Sequence, residues 1–215
     1  MSIKGKVGAM VKFVANYYWD KKLVGNNNTL NRDLPSIFSW STKVQSIDYL
    51  YLIESLKNFP IMENDIVLDL GSGKGRALLY YNYKYNKLEK KNIYFHGAEI
   101  SEEAYLVCKK LCNDKNIKIE NINALDDNYI MKNKFTKILL FNPFDEMIFF
   151  RFIQYLQKNI EYPYSFLYMN ISEEQIDILN RENINFEKYL LHKPLAGIWN
   201  KVNVIVKFKE IENEE

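Results

Sequence analysis

Cysteine and histidine are scarce in this chain. Only Cys108, Cys112, His96 and His192 occur among 215 residues. The histidines lie far apart and no C-x-x-C spacing exists, so the residues do not compose a zinc site. The two cysteines stand four apart on a helix-like stretch, an awkward separation for a disulfide. They read as packed, reduced thiols, which agrees with a cytoplasmic setting. Excess charge is lacking too: 29 Lys and Arg against 27 Asp and Glu leave +2. That is too little to mark a nucleic-acid surface, so nucleic acid is not the expected partner. No apolar run approaches the ~18 residues of a spanning helix. The first residues lack the continuous apolar core and cleavage site of a secretory signal. With five prolines and eight glycines there is no linker, low-complexity tract or internal repeat, and one domain is expected.

What is plentiful is aromatic: sixteen Tyr and thirteen Phe, enough for a stiff core and aromatic pocket walls. Charge is unevenly placed. Lys4, Lys6, Lys12, Lys21 and Lys22 meet only Asp20 near the start, and Glu210, Glu212, Glu214 and Glu215 close the chain. Between those lysines Val7, Met10, Val11, Val14, Tyr17 and Tyr18 recur at helical spacing. This basic amphipathic helix is expected to lie over an edge of the domain or over a substrate cleft; the other reading is a membrane-surface or partner-binding helix. "GNNNTLNRDLPS" interrupts it, and a second helix is predicted from about Ser41 to Asn58, before Pro60.

From Asp65 the pattern alternates strand and helix: "DIVLDL" then "GRALLYYNYKY", "NIYFHGAEI" then "SEEAYLVCKKLC", "IKIENIN", then "TKILLFN" and "DEMIFFRFIQYLQ". "YSFLYMN" follows, then a helix opened by the capping-box pair Ser172 and Gln175, and two strands, "INFEKYLLH" and "KVNVIVKF". Such alternation predicts an α/β fold with a mostly parallel sheet covered on both faces. The last two strands, with no helix between them, predict an antiparallel edge hairpin with "KPLAGIWN" as its loop.

The loop "GSGKG" after the first strand is where ligand chemistry concentrates. A Walker loop requires G-x-x-x-x-G-K-[ST]. Here Leu68 stands where the first glycine belongs, and Gly75 replaces the metal-holding hydroxyl. The dinucleotide fingerprint G-x-G-x-x-G lacks its third glycine, where Arg76 stands. The pattern that fits is D-x-G-x-G-x-G: Asp69, Gly71, Gly73 and Gly75. Glycines let the backbone turn and approach a ligand, with Gly73 in the crowded middle. The neighbouring carboxylate suits an ammonium group rather than a pyrophosphate.

This stretch resembles the first motif of class I S-adenosylmethionine-dependent methyltransferases, and the resemblance spans about Asp65 to Phe208. It implies a Rossmann-like, seven-stranded sheet whose antiparallel last strand is inserted beside the fifth. It also implies S-adenosyl-L-methionine as cofactor, held by Asp69, Gly71, Ser72, Gly73 and Gly75, with Glu99 on the ribose and Ile100 against the adenine face. At the end of the third strand Asn123 and Ala124 take the place of the family's Asp-Ala at the adenine amino group, and Asp126 is an alternative for that contact. "LLFNPFD" resembles the Asn-Pro-Pro-aromatic motif of amino-group methyltransferases with the second proline missing. It is closer to small bacterial methyltransferases carrying Asn-Pro-Phe. Asn142 and Phe144 are then the expected acceptor-site residues, against a plainer reading of Asn142 as a helix cap and Phe144 as packing.

The expected domain plan is a helical extension over residues 1–60, a cofactor-binding methyltransferase unit over 61–209 and an acidic tail over 210–215. The expected acceptor is an amine on a protein or small molecule. An oxygen acceptor would need a general base, for which Asp145 and His192 are candidates. Two other readings stay open: a non-catalytic S-adenosylmethionine-binding or partner-binding subunit, and a dehydrogenase on the same fold.

Overall fold

A computed structural model describes residues 3–25, 30, 44, 46–114, 116–123, 129–192 and 200–208. Seven strands form one sheet in the order β3-β2-β1-β4-β5-β7-β6. They are β1 (Ile66–Leu70), β2 (Tyr94–Glu99), β3 (Ile117–Asn121), β4 (Lys137–Phe141), β5 (Tyr164–Met169), β6 (Phe186–His192) and β7 (Asn200–Phe208). The first five are parallel. β7 runs antiparallel between β5 and β6, in register from Tyr164 opposite Phe208 to Met169 opposite Asn203. The predicted final hairpin is therefore present, with β6 as its edge strand, while its predicted loop lies outside the described residues.

The helices are α1 (Ile3–Val24), α2 (Tyr49–Ser55), α3 (Arg76–Tyr81), α4 (Glu102–Leu111), α5 (Tyr129–Asn133), α6 (Glu146–Asn159) and α7 (Glu173–Arg181). α2 ends in a 3-10 turn over Leu56–Asn58, and α3 continues into a π-helical turn over Asn82–Leu88. Strand alternation divides the core in two, because successive side chains leave opposite faces of the sheet. Leu68, Leu70, Ile138, Leu140, Phe166 and Val204 pack with Phe149, Phe152 and Leu156 of α6 and Ile176 and Leu179 of α7. Val67, Leu139, Leu167 and Ile205 pack on the other face with Leu52 of α2, Leu78 and Tyr81 of α3, and Cys108 of α4. The Ser172–Gln175 capping box is formed as predicted, through Gln175 N to Ser172 Oγ at 3.2 Å and Ser172 N to Gln175 Oε1 at 3.1 Å.

Two expectations for the N-terminal region are corrected. α2 starts at Tyr49, and residues 46–48 ahead of it are not helical. The reason lies in their hydrogen bonds: the Ile47 carbonyl accepts from Arg76 Nη1 at 3.1 Å, and the first amide of α2, Tyr49 N, is capped by Asn16 Oδ1 of α1 at 3.1 Å. α1 packs on α2 and α3, but not through its apolar stripe. Its inward face carries Gly8, Lys12, Asn16, Trp19 and Asp20; Val7, Met10, Val11, Phe13, Val14, Tyr17 and Tyr18 point outward. Asn16 Nδ2 donates to Asp48 Oδ1 at 2.7 Å, and Lys12 pairs with Asp48 at 2.8 Å. Trp19 sits edge-on to Tyr80 and Tyr83. Polar pairing, the Trp19 indole and Leu23 hold this helix down, while the longer apolar stripe faces outward, the reverse of an ordinary amphipathic surface helix.

Candidate functional site

Three neighbouring strands, β2, β1 and β4, end on the same edge of the sheet, and the strand order reverses between β1 and β4. In open α/β sheets ligands bind outside the carboxyl ends of strands at such a switch point. The loop leaving β1 is built for close backbone approach. Gly71, Gly73 and Gly75 all have positive φ, at 78°, 53° and 87°, and the amides of Gly71 and Ser72 both donate to the Ala98 carbonyl of β2, at 2.9 and 3.1 Å.

The most crowded glycine is Gly75 rather than Gly73. A Cβ on Gly75 would lie 2.5 Å from Cys112 Sγ and 2.7 Å from Cys108 Sγ, whereas on Gly73 it would meet Val44 at 3.3 Å and on Gly71 Pro143 at 3.0 Å. The two thiols, free and buried with sulfurs 3.9 Å apart, are thus the floor under the loop. Gly97 in β2 is needed as well, since a Cβ there would meet Leu78, Ser72 Oγ and Ile119 within 3.0 Å. Sequence reasoning missed it.

Asp69 and Glu99 reach this edge from β1 and β2, each 5% exposed. Asp69 Oδ2 has no hydrogen-bond partner among the described residues, and neither do Ser72 Oγ and Tyr81 Oη nearby in the chain. Burial, with the adjacent Glu99 carboxylate adding to it, pushes Asp69 up to about 7. Glu99 is raised by burial as well, while backbone amides pull the other way. Those amides fix its position: Glu99 Oε2 accepts from Gly73 N at 2.7 Å and Oε1 from Ser101 N at 2.8 Å. Two buried carboxylates, one unsatisfied, facing a glycine loop make a site that favours a cation.

The remaining expected residues divide. Ile100 follows Glu99, and Asn121 Nδ2 pins this turn by donating to the carbonyls of Glu99 and Ile100, at 2.8 and 3.2 Å. β3 ends at Asn121, two residues before Asn123; Ala124 and Asp126 lie outside the described residues. Asn142 leaves β4 with φ of 43°, a left-handed conformation that asparagine tolerates better than most residues. It is not the cap of α6. Asp145 holds that position, accepting from Ile148 N at 2.8 Å. Tyr168 Oη donates to Asn142 Oδ1 at 3.4 Å and accepts from Gln175 Nε2 at 2.9 Å. Phe144 is half-buried with its ring 5.4 Å from that of Phe152, and its carbonyl accepts from Gln175 Nε2 at 3.0 Å. The His192 side chain lies outside the described residues.

A residue outside the glycine motif ties the loop to α1. Arg76, where a dinucleotide fingerprint would have its third glycine, is 4% exposed and pairs with Asp20 of α1. Tyr49 Oη also donates to Asp20, at 2.9 Å, and the guanidinium lies over the Tyr49 ring. The available signal was Asp20 itself, the lone acid among the early lysines.

No family model matches the sequence, and no curated protein does. Solved structures do match the fold. A methyltransferase from Pyrococcus furiosus superposes with a TM-score of 0.61 at 12% identity, covering 93% of this chain and 97% of its own. An RNA methyltransferase from Salinibacter ruber, in complex with S-adenosyl-L-homocysteine, gives 0.55 at 12%, covering 79% and 97%. Aeropyrum pernix fibrillarin, with natively bound S-adenosyl-L-methionine, gives 0.52 at 14%, covering 73% and 72%. The chain has the Rossmann-like methyltransferase fold.

Proposed function

We propose that the protein is an S-adenosyl-L-methionine-dependent methyltransferase acting on an amine of a protein or small molecule. The observation that carries the reading is the buried Asp69 oxygen, unpartnered among the described residues, beside Glu99 at the glycine loop. A pair of desolvated acids is unfavourable alone and is relieved by a cationic ligand. S-Adenosylmethionine brings an ammonium and a sulfonium, and two of the structurally similar proteins hold it or its demethylated product. In this reading Asp69 binds the ammonium, Gly71, Ser72, Gly73 and Gly75 cradle the methionine part, and Glu99 takes the ribose hydroxyls. Ile100 and Asn123 with Ala124 contact the adenine.

When bound, the cofactor supplies an activated methyl group with a good leaving group, so the chain's task is alignment and exclusion of water. Asn142, oriented by Tyr168, would accept hydrogen bonds from the acceptor amine and aim its lone pair, with Phe144 packing on the acceptor. Asp145 is committed to capping α6, which favours an acceptor needing no strong base.

The first test is thermal: S-adenosylmethionine and S-adenosylhomocysteine raise the melting temperature and NAD does not. Ligand at ~100 times its dissociation constant adds ~2.7 kcal/mol of stability. Methyl-labelled cofactor is then offered with small amines, proteins and RNA. Label on an amine supports the whole reading, label on RNA or oxygen overturns the acceptor, and cofactor binding without any labelling points to a non-catalytic subunit.

A further inference from the structure

α1 turns its apolar stripe away from the domain. Met10 and Phe13 are each 69% exposed, and Val7, Val11, Val14, Tyr17 and Tyr18 are all near half. Folded monomers rarely leave a contiguous apolar surface beyond a few hundred Å2, and larger ones mark interaction sites. The helix cannot simply roll over to bury this stripe. Its opposite face is tied down by the buried Asp20–Arg76 pair, by the Asn16 contacts to Asp48 and Tyr49, and by Trp19.

We propose that this outward face of α1 docks on an anionic lipid surface, with the helix lying in the plane of the headgroups. Charge selects the occupant. The single acid of α1, Asp20, is consumed inside by Arg76. Lys21 and Lys22 are exposed at one end of the stripe, and Lys4 and Lys6 stand in the first turns at the other. A second copy is disfavoured by the same arrangement: with lysines at both ends, parallel or antiparallel pairing of two stripes sets lysine against lysine. A helix of 22 residues, ~33 Å long, also presents a convex ridge. A lipid surface yields to such a ridge of Val, Met, Phe and Tyr flanked by lysines. The helix lies on the surface rather than across it, since among the described residues no helix is long and apolar enough to span a membrane. Because Asp20 grips Arg76, the first residue after the glycine loop, docking would hold the cofactor edge near the lipid. The proposal stands independently of methyl transfer.

The test is flotation of the full chain with vesicles of phosphatidylcholine alone or mixed with phosphatidylglycerol, alongside sedimentation velocity without lipid. Expected is binding to the anionic vesicles only, weakened by salt. The double variant Met10→Glu, Phe13→Glu is expected to bind about a hundredfold more weakly with an unchanged melting temperature, as neither side chain is part of the core. Lys21→Gln, a milder change, lowers binding in the same direction. No binding to anionic vesicles, equal binding to neutral ones, or full binding by the double variant overturns the proposal. So does a dimer in solution that the double variant abolishes while vesicles are ignored, which would assign the face to a second copy.

Discussion

Arg76 closes on Asp20 through two contacts, Nη2 to Oδ2 at 2.7 Å and Nε to Oδ1 at 3.2 Å, across 56 residues of chain. Both groups are almost fully buried. Removing one partner strands the other charge away from water. Asp20→Ala is therefore expected to destabilise the fold by ~3–5 kcal/mol, read as a lower denaturant midpoint with an unchanged slope. Replacing both partners, as in Asp20→Leu with Arg76→Met, should recover most of that loss, because two desolvated charges are exchanged for packing. A double variant no better than the single one would show that the bond from Tyr49 Oη to Asp20 and those from Arg76 to the Ser46 and Ile47 carbonyls, not the ion pair, carry the stability.

Asp69 gives the unliganded protein a distinctive pH response. Its folded value of about 7 is above the ~3.9 of an unfolded aspartate. The stabilising contribution is therefore complete below ~4 and is lost as pH rises toward about 7. Asp69→Asn is expected to flatten this part of the stability profile in urea titrations. A cationic ligand favours the ionised form, so cofactor binding below about pH 7 should release a proton. Calorimetry in buffers of different ionisation heat measures that release, and Asp69→Asn should abolish it.

Two glycines with similar backbone angles separate strain from crowding. Gly25, after α1, has φ of 74° and no atom of the described residues within 4 Å of where a Cβ would go, while Gly75 has φ of 87° and two sulfurs there. Gly25→Ala is expected to cost only the left-handed penalty, ~1–2 kcal/mol. Gly75→Ala adds overpacking of a further ~1–3 kcal/mol and should weaken cofactor binding. Thermal melts of the two variants side by side make the comparison.

Asn142 and Asp145 stand three residues apart with different expected roles. Asp145→Ala removes the cap of α6 and should cost ~1 kcal/mol with turnover per folded molecule unchanged. Asn142→Ala should lower turnover far more than cofactor affinity, the signature of a contact made to the reacting group. Tyr168→Phe is expected to fall in the same direction as Asn142→Ala but less far, since it deletes only the hydroxyl that orients the amide. Equal turnover of wild type and Asn142→Ala at saturating cofactor and acceptor would remove Asn142 from the reaction.

The strands and the glycine loop were legible because their information is local: an apolar run, a turn that only glycine makes, an acid at a strand end. Asp69, Glu99 and the Ser172–Gln175 cap follow from such short patterns. The direction of α1 did not, since periodicity defines a stripe but not which side of the helix the domain occupies. That side was decided by Asp20 meeting Arg76, a pairing that neither neighbourhood announces. The same pairing shortened α2, because the Ile47 carbonyl serves the Arg76 guanidinium. Gly97 was missed for a related reason: its neighbours Leu78, Ser72 and Ile119 come from three other segments.

The insertion of β7 between β5 and β6 has a consequence for biosynthesis. Until residues 200–208 have left the ribosome, β5 has an open flank and β6 has no partner in the sheet. Everything from Ile66 to Met169 can align beforehand as a parallel five-stranded layer, but its exposed β5 margin offers a template for pairing with other chains. A stall before Asn200 would therefore yield an aggregation-prone nascent protein, and the final strand acts as the latch that ends this vulnerable interval.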